Sequence, residues 1–322
     1  MWGRVLNHKV EREGDIMKFL AMGIGIFLLQ SMVYAELITP IPLSMDVDKA
    51  KVSLGKKLFS DPILSKDGTI SCAHCHDLQN GGDDGLKFSF GIGGKQGVIN
   101  SPTVYNAVFN FRQFWNGRAK DLKEQVLGPL VNPLEMGHTF DGAVNALKKN
   151  ADYKKRFQQI YTDGVTIENL ADAIAEFEKT LITPNAPFDR YLKGDTKAIN
   201  AKAKKGYDLF ISKGCIICHN GINVGGNSYN QFGVHSKAKS KNLGRYLVTQ
   251  KEEDKNVFKV PSLRNVALTA PYMHDGRFKT LKSSVAFMTK YQLGMLISDE
   301  EIEYMVAFLH ALTGEIPKSS QP

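Results

Sequence analysis

All four cysteines of this 322-residue chain fall in two copies of one pentapeptide, Cys72-Ala73-His74-Cys75-His76 and Cys215-Ile216-Ile217-Cys218-His219. A Cys-x-x-Cys-His run attaches a haem covalently: each thiol adds to a vinyl group, and the histidine becomes the proximal iron ligand. With eight histidines in the chain, one such run arises by chance in roughly one chain in a thousand, so two point to two covalently bound c-type haems. A four-cysteine zinc site is the competing chemistry. It fits poorly, because the pairs stand about 140 residues apart where zinc knuckles use about 15–20, and a histidine follows each.

A bound haem either carries electrons or activates a peroxide, and the sixth coordination position decides which. Methionine or histidine there favours electron transfer; an open position admits substrate. Met288 is the best candidate to complete the second haem, with Met273, Met295 and Met305 as rivals, although a lone methionine is more often core than ligand. Taken alone, Glu135 in Pro-Leu-Glu-Met reads as a solvated loop carboxylate and Trp115 as a core aromatic.

The elements that must position these residues are helical. Leu170, Ile174, Phe177 and Leu181 share one helical face behind a cap at Thr166. Ser298 and Glu301 form a capping box ahead of Ile302, Met305, Val306, Leu309 and Leu312, and Gly314 supplies the stop. Gly55-Lys56-Lys57-Leu58-Phe59 and Gly206-Tyr207-Asp208-Leu209-Phe210 form a faint repeat, each the end of an amphipathic helix leading to a haem motif. Alternating strand patterns are scarce. The expected fold is all-α, with two cytochrome c-like haem domains at 36–190 and 191–322, linked near Pro184 to Asp195, the last residues packing back on the first domain. Seven glycines between Gly81 and Gly97 predict a loop able to cover the first haem.

Residues 1–35 read as a leader. Met17-Lys18-Phe19 begins a basic segment, Leu20 to Leu29 is apolar, and Ser31 to Ala35 ends in a small residue suited to cleavage. The upstream residues 1–16 look like an extension before the true start at Met17. An uncleaved anchor is the alternative, though the apolar run is short for a bilayer. Export fits c-type haem, and the expected compartment is the periplasm. The net charge of +8 falls to about +4 once four propionates are counted. Lysines are scattered and no basic stretch is interleaved with aromatics, so nucleic acid is not an expected partner.

Several stretches resemble the bacterial dihaem cytochrome c peroxidase family: Ser101-Pro102-Thr103-Val104-Tyr105-Asn106, Gln113-Phe114-Trp115-Asn116-Gly117-Arg118, Gly128-Pro129-Leu130-Val131-Asn132-Pro133-Leu134-Glu135-Met136, Val260-Pro261-Ser262-Leu263-Arg264-Asn265 and Pro271-Tyr272-Met273-His274-Asp275-Gly276. The resemblance runs from about residue 50 to 314. It implies His219 and Met288 as ligands of a high-potential haem and His76 as proximal ligand of a peroxidatic haem. Trp115 would be the electron conduit between them. It further implies Glu135 as the acid–base residue that moves a proton between the two peroxide oxygens, and Gln125 as a hydrogen-bonding neighbour. Asn100 and the carbonyls of Thr269 and Pro271 match the family's calcium site. His274 would sit near a propionate without binding iron. The implied partners are hydrogen peroxide, a small cytochrome c or cupredoxin donor, and a second copy of the chain as homodimer.

One position departs from the family. Many members carry a histidine in the glycine-rich loop that caps the peroxidatic haem until the other haem is reduced. Here that position is Ile92, which cannot bind iron, and neither His74 nor His138 is an obvious replacement. The expectation is a haem open at rest, ready without reductive activation. The rival readings are a pure electron carrier or redox sensor, and an enzyme that oxidises tryptophan in a protein substrate. Glu135 and Gln125 argue against the first; methionine at 288 in place of a ligating tyrosine argues against the second.

Overall fold

The computed structural model describes residues 37–236 and 240–320; the expected leader lies outside them. Eleven α-helices occur among those residues: α1 (Lys49–Ser60), α2 (Cys72–Cys75), α3 (Leu122–Val131), α4 (Phe140–Lys149), α5 (Ala151–Ile160), α6 (Ile167–Glu178), α7 (Pro187–Leu192), α8 (Ala201–Ser212), α9 (Tyr246–Thr249), α10 (Leu281–Phe287) and α11 (Asp299–His310). The structure is mostly helical. It departs from an all-helical expectation in one small ladder, β1 (Tyr229–Gln231) antiparallel to β2 (Val257–Lys259), with Tyr229 opposite Lys259. Three residues per strand are too few for a period-2 pattern to register.

Two apolar clusters organise the chain. The first gathers Leu54, Leu58, Phe59, Leu130, Leu147, Phe157, Leu170, Ile174 and Phe177. The second gathers Phe188, Phe210, Ile302, Met305, Phe308 and Leu312. Each fully buried side chain of this size contributes about 1.5–3 kcal/mol, so these clusters and not the short ladder hold the lobes together. Both use the same helix crossing. A Cβ on Gly55 of α1 would meet the Ala173 carbonyl of α6 at 1.9 Å, and one on Gly206 of α8 would meet the Tyr304 carbonyl of α11 at 1.9 Å. Only glycine lets the backbones approach so closely. The Thr166 cap and the Ser298/Glu301 capping box both form.

The stretch expected as a linker is partly α7. Phe188 is buried in the second cluster, and Asp189 pairs with Arg264 at 2.6 Å with both side chains fully enclosed. Periodicity cannot show so short a helix; burial and a buried ion pair made it. Arg264 also donates to the carbonyl of Thr39 at 2.9 Å, and Ile38 belongs to the second cluster. The first described residues therefore pack with the lobe built from the end of the sequence. At the other terminus, Gln79 donates to the Ser320 carbonyl at 2.8 Å and Ser319 to that of Thr180 at 3.2 Å.

A deeper duplication appears where the lobes meet. Phe114-Trp115-Asn116-Gly117-Arg118 and Met273-His274-Asp275-Gly276-Arg277 make equivalent loops, opened by positive φ at Phe114 (68°) and Met273 (72°) and closed by the bridges Gln113–Ala119 and Tyr272–Phe278. Asn106 and Asn265, both with φ near 60°, donate to the same Thr183 hydroxyl at 2.7 and 2.9 Å.

Candidate functional site

α2 carries Cys72 and Cys75, and the His76 N–H donates to the Cys72 carbonyl at 3.0 Å as the helix ends. His76 Nδ1 lies 3.2 Å from the Gly82 carbonyl. That contact fixes the tautomer with Nδ1 protonated and leaves Nε2 as the free ligand nitrogen. Burial lowers the His76 pKa and pushes the thiols of Cys72 and Cys75 up to about 12 and about 11. Among the described residues no three His, Cys, Asp or Glu side chains converge to hold a metal, so the zinc alternative finds no site.

Beside this motif lies a cavity of about 400 Å³, lined by Cys72, Cys75 and His76 together with Trp115, Gln125 and Glu135. Glu135 is half-buried, and burial raises its pKa, opposed by the charge of Arg118 and by Asn132, whose side-chain amide donates to it at 2.6 Å. Ile92 does not line the cavity. Its N–H donates to the Glu135 carbonyl at 2.8 Å, and its side chain fills the space beside Gly137, where a Cβ would come within 2.2 Å of Ile92 Cδ1. The glycine-rich loop is thus docked on the segment that presents Glu135. His138 does not line the cavity either; its Nδ1 accepts the Thr139 N–H at 2.8 Å.

The second motif forms a tight turn, Cys215–Ile217, and the His219 N–H donates to the Cys215 carbonyl at 3.0 Å. Burial pushes the His219 pKa down to about 4, keeping the ring neutral. Two cavities of about 190 and 100 Å³ share Cys215, His219, Met288, Lys259 and Trp115 as lining; Cys218 and His274 line the smaller. Met288 opens a π-helical turn, Met288–Gln292, directly after α10. Met273 also lines both cavities, Met305 only the larger, and Met295 neither. His274 is buried, stacks on Phe258 at 4.1 Å, and shares a 2.6 Å hydrogen bond between Nε2 and the Ser240 hydroxyl.

Both motifs therefore open onto apolar-walled space with the histidine and both thiols on its lining, and the residues present fit a c-type haem in each lobe. Trp115 borders all three cavities. Asn100, Thr269 and Pro271 all line the 190 Å³ cavity, together with Asp83. Burial pushes the Asp83 carboxyl up to about 7, and its Oδ1 has no hydrogen-bond partner. Asp83 thus brings an unpaired carboxylate oxygen to the same cavity lining as Asn100, Thr269 and Pro271, and oxygen ligands of these kinds suit a hard cation.

Sequence reasoning did not find Asp83, Arg118, Glu178 or Lys259. Glu178 lines the first cavity, fully buried, with Oε2 unpaired and its pKa pushed up to about 8 by burial. On the helical face of α6 it looked like an ordinary polar residue.

A fold of paired helical lobes, each with a haem-attachment motif on a cavity, defines a dihaem c-type protein. The family model described as di-haem cytochrome c peroxidase matches residues 49–197. The chain is 49% identical over 285 residues to "Cytochrome c peroxidase Ccp" of Escherichia coli, covering 87% of this chain and 61% of that protein's length. It is 45% identical over 308 residues to "Cytochrome c551 peroxidase" of Nitrosomonas europaea, covering 94% and 92%. Among solved structures it is similar to a MauG-like protein associated with microbial copper homeostasis, with TM-score 0.74, 26% identity, and 87% and 95% of the chains covered. The chain belongs to the dihaem cytochrome c peroxidase family.

Proposed function

We propose that this chain is a peroxidase that reduces hydrogen peroxide to water in its N-terminal lobe, using electrons gathered by its C-terminal lobe. The observation that carries the reading is Trp115, which borders the cavities of both haem motifs. When bound, a haem supplies an iron centre that takes up peroxide in one lobe and stores an electron in the other. His76 and His219 would hold the two irons through Nε2, and Met288 would complete the second.

Glu135 takes the proton from the inner oxygen of peroxide and returns it to the outer one, so that water leaves. Arg118 and Asn132 keep enough carboxylate character for the first half of that transfer, while burial keeps the acid available for the second. Gln125 orients the peroxide by hydrogen bonding. Trp115 shortens the electron path between lobes. Asn100, Thr269 and Pro271, with Asp83 beside them, would hold calcium and brace the junction between lobes. The two clusters correspond to two haem domains. A small cytochrome c or cupredoxin would deliver electrons, and the working unit would be a homodimer exported to the periplasm.

Ile92 supports a site open at rest, since it packs beside Gly137 and carries no ligand atom. Rapid mixing of hydrogen peroxide with fully ferric protein, with a reduced small cytochrome as donor, tests the reading. Immediate turnover is expected. Absence of turnover in both the ferric and the half-reduced protein would leave only an electron carrier.

A further inference from the structure

Lys259 is the last residue of β2, 7% exposed, and lines both cavities beside Cys215, His219 and Met288. Among the described residues its ammonium forms no hydrogen bond and no ion pair, although its backbone N–H donates to the Trp115 carbonyl at 2.8 Å. Burial alone pushes its pKa down to about 8, with no anion listening from the protein side. A buried ammonium without an anion is costly, and lysines are seldom enclosed unless paired.

The duplication at the lobe junction locates that partner. Asn100 heads Ser101-Pro102-Thr103-Val104-Tyr105-Asn106 as Lys259 heads Val260-Pro261-Ser262-Leu263-Arg264-Asn265. The Asn100 N–H donates to the His274 carbonyl at 2.9 Å, just as Lys259 N–H donates to that of Trp115, and Trp115 and His274 hold equivalent loop positions. Lys259 is thus the counterpart of the residue proposed to hold calcium. One lobe recruits a cation at this place; the other carries its own.

We infer that the Lys259 ammonium is the built-in counter-cation for a propionate of the haem tethered through Cys215 and Cys218, and that it sets that haem's reduction potential. The inference rests on the reading that this slot holds a c-type haem. Lys259 lines neither wall of the His76 cavity, so the other haem is not its target. The pairing would tie the haem to the strand whose Lys259 backbone N–H already holds the Trp115 carbonyl. A fixed positive charge beside the iron favours the ferrous state; removing it leaves an unpaired propionate that favours ferric.

The test compares wild type, Lys259→Met and Lys259→Arg as purified holoproteins. Intact mass first counts haems. A wild-type chain with no haem on Cys215 and Cys218 overturns the slot reading itself, separately from Lys259. With two haems attached, redox titration is expected to show the C-terminal haem of Lys259→Met favouring the ferric state about tenfold more, a drop of about 59 mV for one electron, with Lys259→Arg close to wild type. An unchanged potential in Lys259→Met overturns the inference. If that variant does not fold, resonance Raman of half-reduced wild type decides: a propionate-bending band shifted by hydrogen bonding supports the pairing, and one at the free-carboxylate position overturns it.

Discussion

The Trp115 indole N–H donates to the Asn100 carbonyl at 2.9 Å, so the proposed conduit hangs from the proposed calcium site. Asn100 in turn donates from its own amide nitrogen to Leu86 at 2.9 Å, leaving Oδ1 for a cation. Chelating calcium from the holoprotein should therefore weaken the Trp115 hydrogen bond and slow turnover together. The indole N–H Raman band reads the first and donor oxidation the second. Slowed turnover with an unmoved indole band would separate the two sites.

In the acid–base role proposed for it, Glu135 should set the acid limit of activity. Burial raises its pKa above the ordinary carboxylate value of about 4.3. The carboxylate is the form that accepts a proton, so kcat/KM should fall as pH drops through that raised value. Asn132→Ala removes a donor that favours the carboxylate, and should move the acid limb to higher pH. Glu135→Gln should cost about 10²–10⁴ in kcat/KM above that raised value, with the deficit narrowing below it and both haems retained.

Ile92→His places an imidazole on a loop that packs off the cavity, beside Gly137, and that must undock from the Glu135 carbonyl to reach the iron. Wild-type ferric protein should show high-spin signals at rest. The variant should convert part of that population to low spin and acquire a lag that pre-reduction removes. Paramagnetic resonance of both resting proteins checks this; wild type lacking any high-spin signal would contradict it.

Glu178 gives stability a pH slope. Its folded-state pKa is raised to about 8, against about 4.3 unfolded. Between those values the folded protein keeps a proton that the unfolded chain releases. Stability should therefore fall by up to about 1.4 kcal/mol per pH unit across that window. Glu178→Gln should flatten the decline, read from Tm between pH 5 and 8.

The haem motifs, the capped helices and the glycine repeat at Gly55 and Gly206 were all legible, because each depends on residues close together in the chain. Glu135, Gln125 and Trp115 came from resemblance, and the structure gathers them on one cavity. Lys259 and Asp83 were not legible, since nothing local marks a lysine or aspartate that long-range packing will enclose. A signal was nevertheless present. Trp115-Asn116-Gly117-Arg118 and His274-Asp275-Gly276-Arg277 repeat with their upstream Pro102 and Pro261 segments, and pairing them would have set Lys259 against Asn100.

The crossed termini have a consequence for how the molecule comes into being. Ile38 and Thr39 are made early, yet their seat is Arg264 and the second cluster, made late. Ser319 and Ser320 are made late and close onto Thr180 and Gln79. Each half is latched by the opposite end of the polypeptide, so neither is finished until both are. Such a clasp should couple the halves into one melting event.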